Sequence, residues 1–358
     1  YLDVRFGKTA YRTGASFFLL SKMLGAAARL YLVCLILQNY VFGSMGVPFE
    51  ITAAGTVFLI WLYTFRGGIK SLVWTDALQT LCLITALVLI LYQLCRLNDF
   101  TVTEAIWHVT ESPYGRWIEW DDWTSRQHFA KQFFSGVFIV IVMTGLDQDM
   151  MQKNLTCKNL RDAQKDMCSY GFSFIPLNML FLGMGILLLA LASREGIALP
   201  VKGDDILPLF CAEGYLGNEV LVLFTIGIIA AAFSSADSAL TALTTSFCVD
   251  ILDVERRFAR PEAVRKRVHG VIALLFVGFI LCFEAVNDSS VIDAIYVVAS
   301  YTYGPLLGLF AFGMFTRRKP CPAAVPWICV TAPVCCYLLD VWTASIYGYR
   351  FGYELLML

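Results

Sequence analysis

The chain has 358 residues, 58% of them hydrophobic and 15% charged, with a net charge of −1. That balance lies outside the range of soluble globular domains, and it leaves no basic footprint for a nucleic acid. A membrane-spanning helix needs about 20 mostly apolar residues, and the chain offers several such runs. It therefore reads as an all-α, polytopic membrane protein.

The 12 cysteines fall mostly within apolar segments, with no CxxC pair and no metal spacing. They read as small buried hydrophobes. His108, His128 and His269 read as loop or helix-end residues, which does not indicate a metal centre.

In chain order, a charged amphipathic opening, YLDVRFGKTAYR, runs into the first apolar stretch. Because Tyr1 stands in place of a methionine and YELLML closes the chain, the sequence reads as a fragment of a longer protein. Nine spans are expected, at 13–40, 49–65, 70–95, 129–152, 163–192, 218–251, 266–284, 289–316 and 322–346. Gly67-Gly68 marks a tight turn between the second and third. The longest polar stretch, 96–128, carries Trp107, Trp117, Trp120 and Trp123 among acids. Tryptophan favours the membrane interface, so this reads as an interfacial loop, with a ligand lid as the alternative.

Of the 27 Lys and Arg, 18 fall before the first span and in four alternate loops, six in the opposite loops, and Lys22, Arg29 and Lys131 within spans. Nine alternating spans satisfy the positive-inside bias only if the 18 face the cytoplasm. Residue 1 is then cytoplasmic and residue 358 extracytoplasmic, in a single 1–358 transmembrane domain. The 96–128 loop lies outside, and loops 153–165 and 252–267 lie inside. No low-complexity segment or short-period repeat is visible.

Polar residues inside the spans carry the functional reading. In the 218–251 run, Ala231, Ser234, Ser235, Ser238, Thr241, Ala242 and Thr245 share one helical face, with Asp237 at its edge. Small residues on one face serve close helix packing; hydroxyls also suit a hard cation such as sodium. Packing does not need the Asp237 carboxylate, which is costly in a membrane, so an ion pathway is favoured.

Asp76 is a second intramembrane carboxylate, or an interfacial helix-start residue. Asp147, Gln148 and Asp149 line an inner vestibule or end a solvated helix. Lys22 and Arg29 are seven residues apart on one helical face. Lys22 reads as snorkelling to the cytoplasmic interface. Arg29 is deeper, and reads as pairing with an acid or holding an anionic substrate group through its planar fork. Tyr301-Thr302-Tyr303-Gly304-Pro305 reads as an interruption of its span, since proline removes a helix bond.

These motifs together resemble the sodium/solute symporters, a family that includes sodium-coupled sugar, proline, pantothenate, sialic acid and iodide transporters. The resemblance rests on YLDVRFG, RGGIKSLVWTDALQT, GLDQDMMQKNLTCKNLRDAQK, AAAFSSADSALTALTTSFCVDI and YTYGPLLGLFAFGMFTRR, in that order. It implies a leucine-transporter-like five-plus-five inverted repeat, entered here at core helix three and lacking the first helices.

The resemblance also implies sodium ligands: Ala231 through its carbonyl with Ser234 and Ser235 at a general site, and Asp76, Ser234, Asp237 and Ser238 at a second site found in some relatives. Asp237 departs from the serine of the sialic acid relative. The asparagine and lysine of the sugar-binding members correspond to Asp147 and Phe174, so a hexose is not supported. The solute-binding candidates are Arg29, Asp147, Gln148, Tyr301 and Tyr303.

The expected function is sodium-driven symport of a small organic solute, possibly one with a carboxylate, across the plasma membrane by alternating access. The partners implied are that solute and membrane lipid, with no obligate protein partner. A transporter-like solute sensor is the alternative. No nucleophile–base pair or metal triad supports an enzyme.

Overall fold

In the computed structural model the described residues are 1–116, 118–123, 125, 127–200, 203–286, 289–349, 351–352 and 355. The side chains of residues 44, 66–75, 142–143, 148–149, 152, 204, 232, 286 and 289–300 are not described. The expected all-helical class holds: the described residues are overwhelmingly helical, and their β-pairing is limited to one isolated bridge, Glu119 to His128.

The chain starts with a short helix α1 (Leu2–Phe6) and enters α2 (Lys8–Leu37), which ends in a π-helical turn, Gln38–Phe42. Then follow α3 (Phe49–Leu97), α4 (Val102–Glu111), α5 (Phe129–Val140), α6 (Gln148–Asn154) and α7 (Leu160–Glu195). The second half holds α8 (Ile206–Ala212), α9 (Asn218–Ser246), α10 (Val254–Arg257), α11 (Pro261–Val286), α12 (Ser289–Phe315) and α13 (Ala324–Tyr347).

Six stretches among the described residues are long and apolar enough to cross a membrane: 8–42, 76–97, 160–195, 218–251, 261–285 and 324–347. Phe49–Phe65 and Phe129–Val140 are shorter apolar helices.

Three expectations change. The two spans 49–65 and 70–95 belong to one helical element, α3. Yet Tyr63 and Asp76 contact Asp237 and Ser234 of α9, which are three residues apart. Both halves of α3 thus reach one stretch of α9. The tight turn expected at Gly67-Gly68 is not formed: both glycines lie within the helical run of α3.

The second change concerns the helix break. α12 runs unbroken through Pro305. The discontinuity falls instead in the 129–152 span, where α5 passes through a π-helical turn (Ile141–Gly145) and stops before α6. Third, His269 is not a loop residue. It is buried in α11, 2.9 Å from the Thr64 hydroxyl of α3 and 3.0 Å from the Thr244 hydroxyl of α9.

One apolar core joins α2, α3, α9 and α11. Its closest approach uses alanines: Ala26, Ala27 and Ala28 of α2 are buried with Ala236 and Ala239 of α9. Small side chains let helix backbones approach closely. A second core joins the later half of α3 to α4, α7, α8 and the start of α9.

The expected 96–128 loop contains α4. A capping box opens that helix, with Thr101 and Glu104 satisfying each other's backbone N–H groups. Those Thr101 hydrogen bonds, the backbone one first, hold the Glu104 carboxyl below its usual range. Trp107, Trp120 and Trp123 are exposed, while Trp117 lies outside the described residues.

Candidate ion and solute site

The α9 stripe lies against the later part of α3, and two of its hydroxyls meet the Asp76 carboxylate and its ammonium partner there. Ser234 Oγ donates to Asp76 Oδ1 at 2.7 Å. The other carboxylate oxygen accepts from Lys153 Nζ at 3.0 Å, and the same Nζ donates to Ser238 Oγ at 3.0 Å. Three elements thus meet: α3 supplies Asp76, α9 supplies Ser234 and Ser238, and α6 supplies Lys153. Asp76 and Lys153 keep 22% and 29% of their side-chain surface exposed.

Asp237 is fully buried. It accepts hydrogen bonds from the Tyr63 hydroxyl and the Ser238 backbone N–H, one on each carboxylate oxygen. The Asp237 carboxylate is therefore held by Tyr63. A carboxylate and two hydroxyls are all hard oxygen donors, and the arrangement already holds one monovalent cation, the Lys153 ammonium. This donor chemistry suits sodium.

The proposed general site is only partly assembled by the described residues. Ala231 is half-buried, and Ser235 is exposed with no hydrogen bond among the described residues.

The second cluster sits at the helix break. Asp147, in the gap between the π-helical turn and α6, receives the Lys22 ammonium at 2.7 Å, with 6% and 9% of their side chains exposed. Lys22 thus does not snorkel; a buried acid 125 positions away holds it inside the bundle. Arg29 is exposed, and its Nε donates to the Gly25 carbonyl at 3.1 Å. Among the described residues no ion pair with an acid is seen for Arg29.

The two tyrosines part company. Tyr303 is buried with Ile139, Leu146 and Leu307 beside the helix break. Tyr301 faces an apolar cavity of about 390 Å³ between α12 and α13, and among the described residues its buried hydroxyl has no hydrogen-bond partner. The Gln148 side chain lies outside the described residues.

Sequence reasoning missed Lys153 and Tyr63 as members of the ion cluster. Lys153 was counted among cytoplasmic charges, and a charge count carries no sign of a side chain that turns inward. Tyr63 ends an apolar run, where an aromatic with a polar tip reads as interfacial.

Membrane-length helices, a helix break and buried charge clusters define a polytopic membrane protein built around intramembrane polar sites. Comparison then gives the family: the profile of the sodium:solute symporter family matches residues 1–325, and the chain belongs to that family.

Among its relatives, the sodium/sialic acid symporter SiaT of Proteus mirabilis is 25% identical over 342 residues, 92% of this chain and 67% of the relative. The sodium/sialic acid symporter NanT of Aliivibrio fischeri is also 25% identical, covering 91% of this chain and 65% of its own. The sodium-dependent multivitamin transporter of Oryctolagus cuniculus is 27% identical, over 91% of this chain and 51% of its own. These relatives are transporters, not enzymes. The chain spans about half to two thirds of their length.

A solved substrate-bound, outward-open structure of a Na+-coupled sialic acid symporter, reported with a novel Na+ site, superposes with a TM-score of 0.79 at 22% identity. It covers all of this chain and 73% of the solved one, and it shows the shared fold.

Proposed function

We propose that this chain carries part of the machinery of a sodium-coupled symporter for a small organic solute. The observation that carries the reading is the pair of Asp76 and Ser238 around the Lys153 ammonium, with Ser234 on the other Asp76 oxygen, among apolar helices. Sodium bound there ties α3 to α9. The buried Asp237–Tyr63 pair fastens the same two helices one turn away. Ala231 and Ser235 face a further sodium position on the exposed side of α9.

The solute position is the helix break beside Lys22, Asp147, Gln148 and Tyr303. Arg29 lies two turns along the same α2 face with its guanidinium exposed, and it suits a carboxylate on the solute. The sialic acid symporters among the relatives support a carboxylate-bearing solute. Tyr301 is placed apart, toward α13.

In the plasma membrane, residue 1 and loops 153–165 and 252–267 face the cytoplasm. Loop 96–128 and residue 358 face outside; the Lys and Arg distribution supports this orientation.

The test is solute uptake by the full-length protein as a function of sodium. Asp76→Asn and Ser234→Ala each raise the sodium concentration for half-maximal transport, by about tenfold or more for a lost charged ligand worth roughly 1.5–3 kcal/mol. Unchanged sodium dependence in both variants contradicts the assignment.

A further inference from the structure

We infer that Lys153 is a tethered cation that competes with sodium for the seat formed by Asp76 and Ser238. This rests on the sodium reading above and adds a specificity element to it. The Lys153 ammonium lies 3.0 Å from an Asp76 carboxylate oxygen and 3.0 Å from the Ser238 hydroxyl. Those two oxygens belong to different helices, α3 and α9, and the lysine reaches them from a third, α6.

A primary ammonium carries one positive charge, three donors and no acceptor. What it demands of its surroundings, oxygen lone pairs and a negative charge, is what a sodium ion demands. The two cannot share the seat, since like charges in direct contact repel.

Exchange is physically accessible. Lysine presents a compact charge on a flexible four-carbon stem, and this pair is partly exposed rather than locked in the core. The seven-residue α6 is cut off from α5 by the break before it, so the lysine rides on an element with little helical continuity.

With sodium absent, Lys153 neutralises Asp76, sparing the apolar bundle an uncompensated carboxylate. With sodium bound, the ammonium is displaced and α6 loses its tie to α3 and α9. The seat thereby reports its occupancy to the segment that carries Asp147 and the solute position. Other groups at the cluster are already engaged: Ser234 on the second Asp76 oxygen, and Tyr63 on Asp237.

The test is a thermal-shift titration of the full-length protein with sodium chloride against choline chloride at constant ionic strength. Lys153→Gln and Lys153→Met, the latter keeping the apolar stem, each lower the half-maximal sodium concentration by about three- to tenfold. That factor follows when the ammonium leaves the seat free about a third to a tenth of the time. Lys153→Arg keeps the charge and stays within about twofold of the wild type, and Asp76→Asn/Lys153→Gln removes the sodium-specific shift at this seat.

A merely structural salt bridge lowers the choline melting temperature in Lys153→Gln but leaves the sodium concentration dependence where it was. An unchanged or raised half-maximal sodium concentration in both neutral variants, with a responsive wild type, overturns the lysine inference alone. A wild type without any sodium-specific shift overturns the sodium reading and this inference together.

Discussion

Lys22 and Asp147 form an ion pair in which both side chains are more than nine-tenths buried. Removing one partner of such a pair leaves an uncompensated charge, at a cost of about 3–5 kcal/mol. Asp147→Ala is therefore expected to lower the thermal stability of the full-length protein sharply. Replacing both partners by apolar residues of similar volume is expected to recover most of the loss. Additive destabilisation in the double variant contradicts the pairing.

The visibility of such residues in the sequence follows their chemistry. Asp76 and Ser234 are legible because hydroxyls and a carboxylate stand out in apolar runs, and the structure puts them 2.7 Å apart. In the sequence Lys22 reads as snorkelling to the cytoplasmic interface, and Lys153 counts among the cytoplasmic loop charges. Only the long-range partners, Asp147 for one and Asp76 with Ser238 for the other, turn them inward. Arg29 drew attention by its depth, yet among the described residues its hydrogen bond is to the Gly25 carbonyl.

At the scale of elements, the spans were legible because apolar length decides them. α2, α7, α9, α11, α12 and α13 follow the expected runs within a few residues. The helix break was misplaced. Pro305 costs the Tyr301 carbonyl its intrahelical partner, but α12 continues through it. The 129–152 span contains no proline, and its break before α6 follows Gly145 and brings Asp147 to Lys22. The ion pair fixes that geometry, and no local pattern encodes an ion pair across 125 positions.

Packing makes its own prediction at this scale. Ala27 is fully buried where α2 meets α9. Ala27→Leu inserts atoms into a filled contact and is expected to destabilise by about 1–3 kcal/mol. A melting temperature equal to that of the wild type contradicts the close α2–α9 approach.

For the whole molecule, α3, α6 and α9 meet at one polar cluster although they lie far apart in sequence. A cation at Asp76, Ser234 and Ser238 touches two of them, and Lys153 connects the third. Membership of the sodium:solute symporter family and the intramembrane oxygen cluster point to the same chemistry. The composition made the membrane class legible, and the ordered motifs made the family legible. The solute was not legible, because neither periodicity nor charge count shows which side chains converge on one site.

The measurement that tests the account most directly is uptake of a radiolabelled carboxylate solute, such as sialic acid, by the full-length protein, with sodium replaced by choline. The account predicts saturable uptake in sodium, its loss in choline, and a raised half-maximal sodium concentration in Asp76→Asn. Equal uptake in sodium and choline would contradict it.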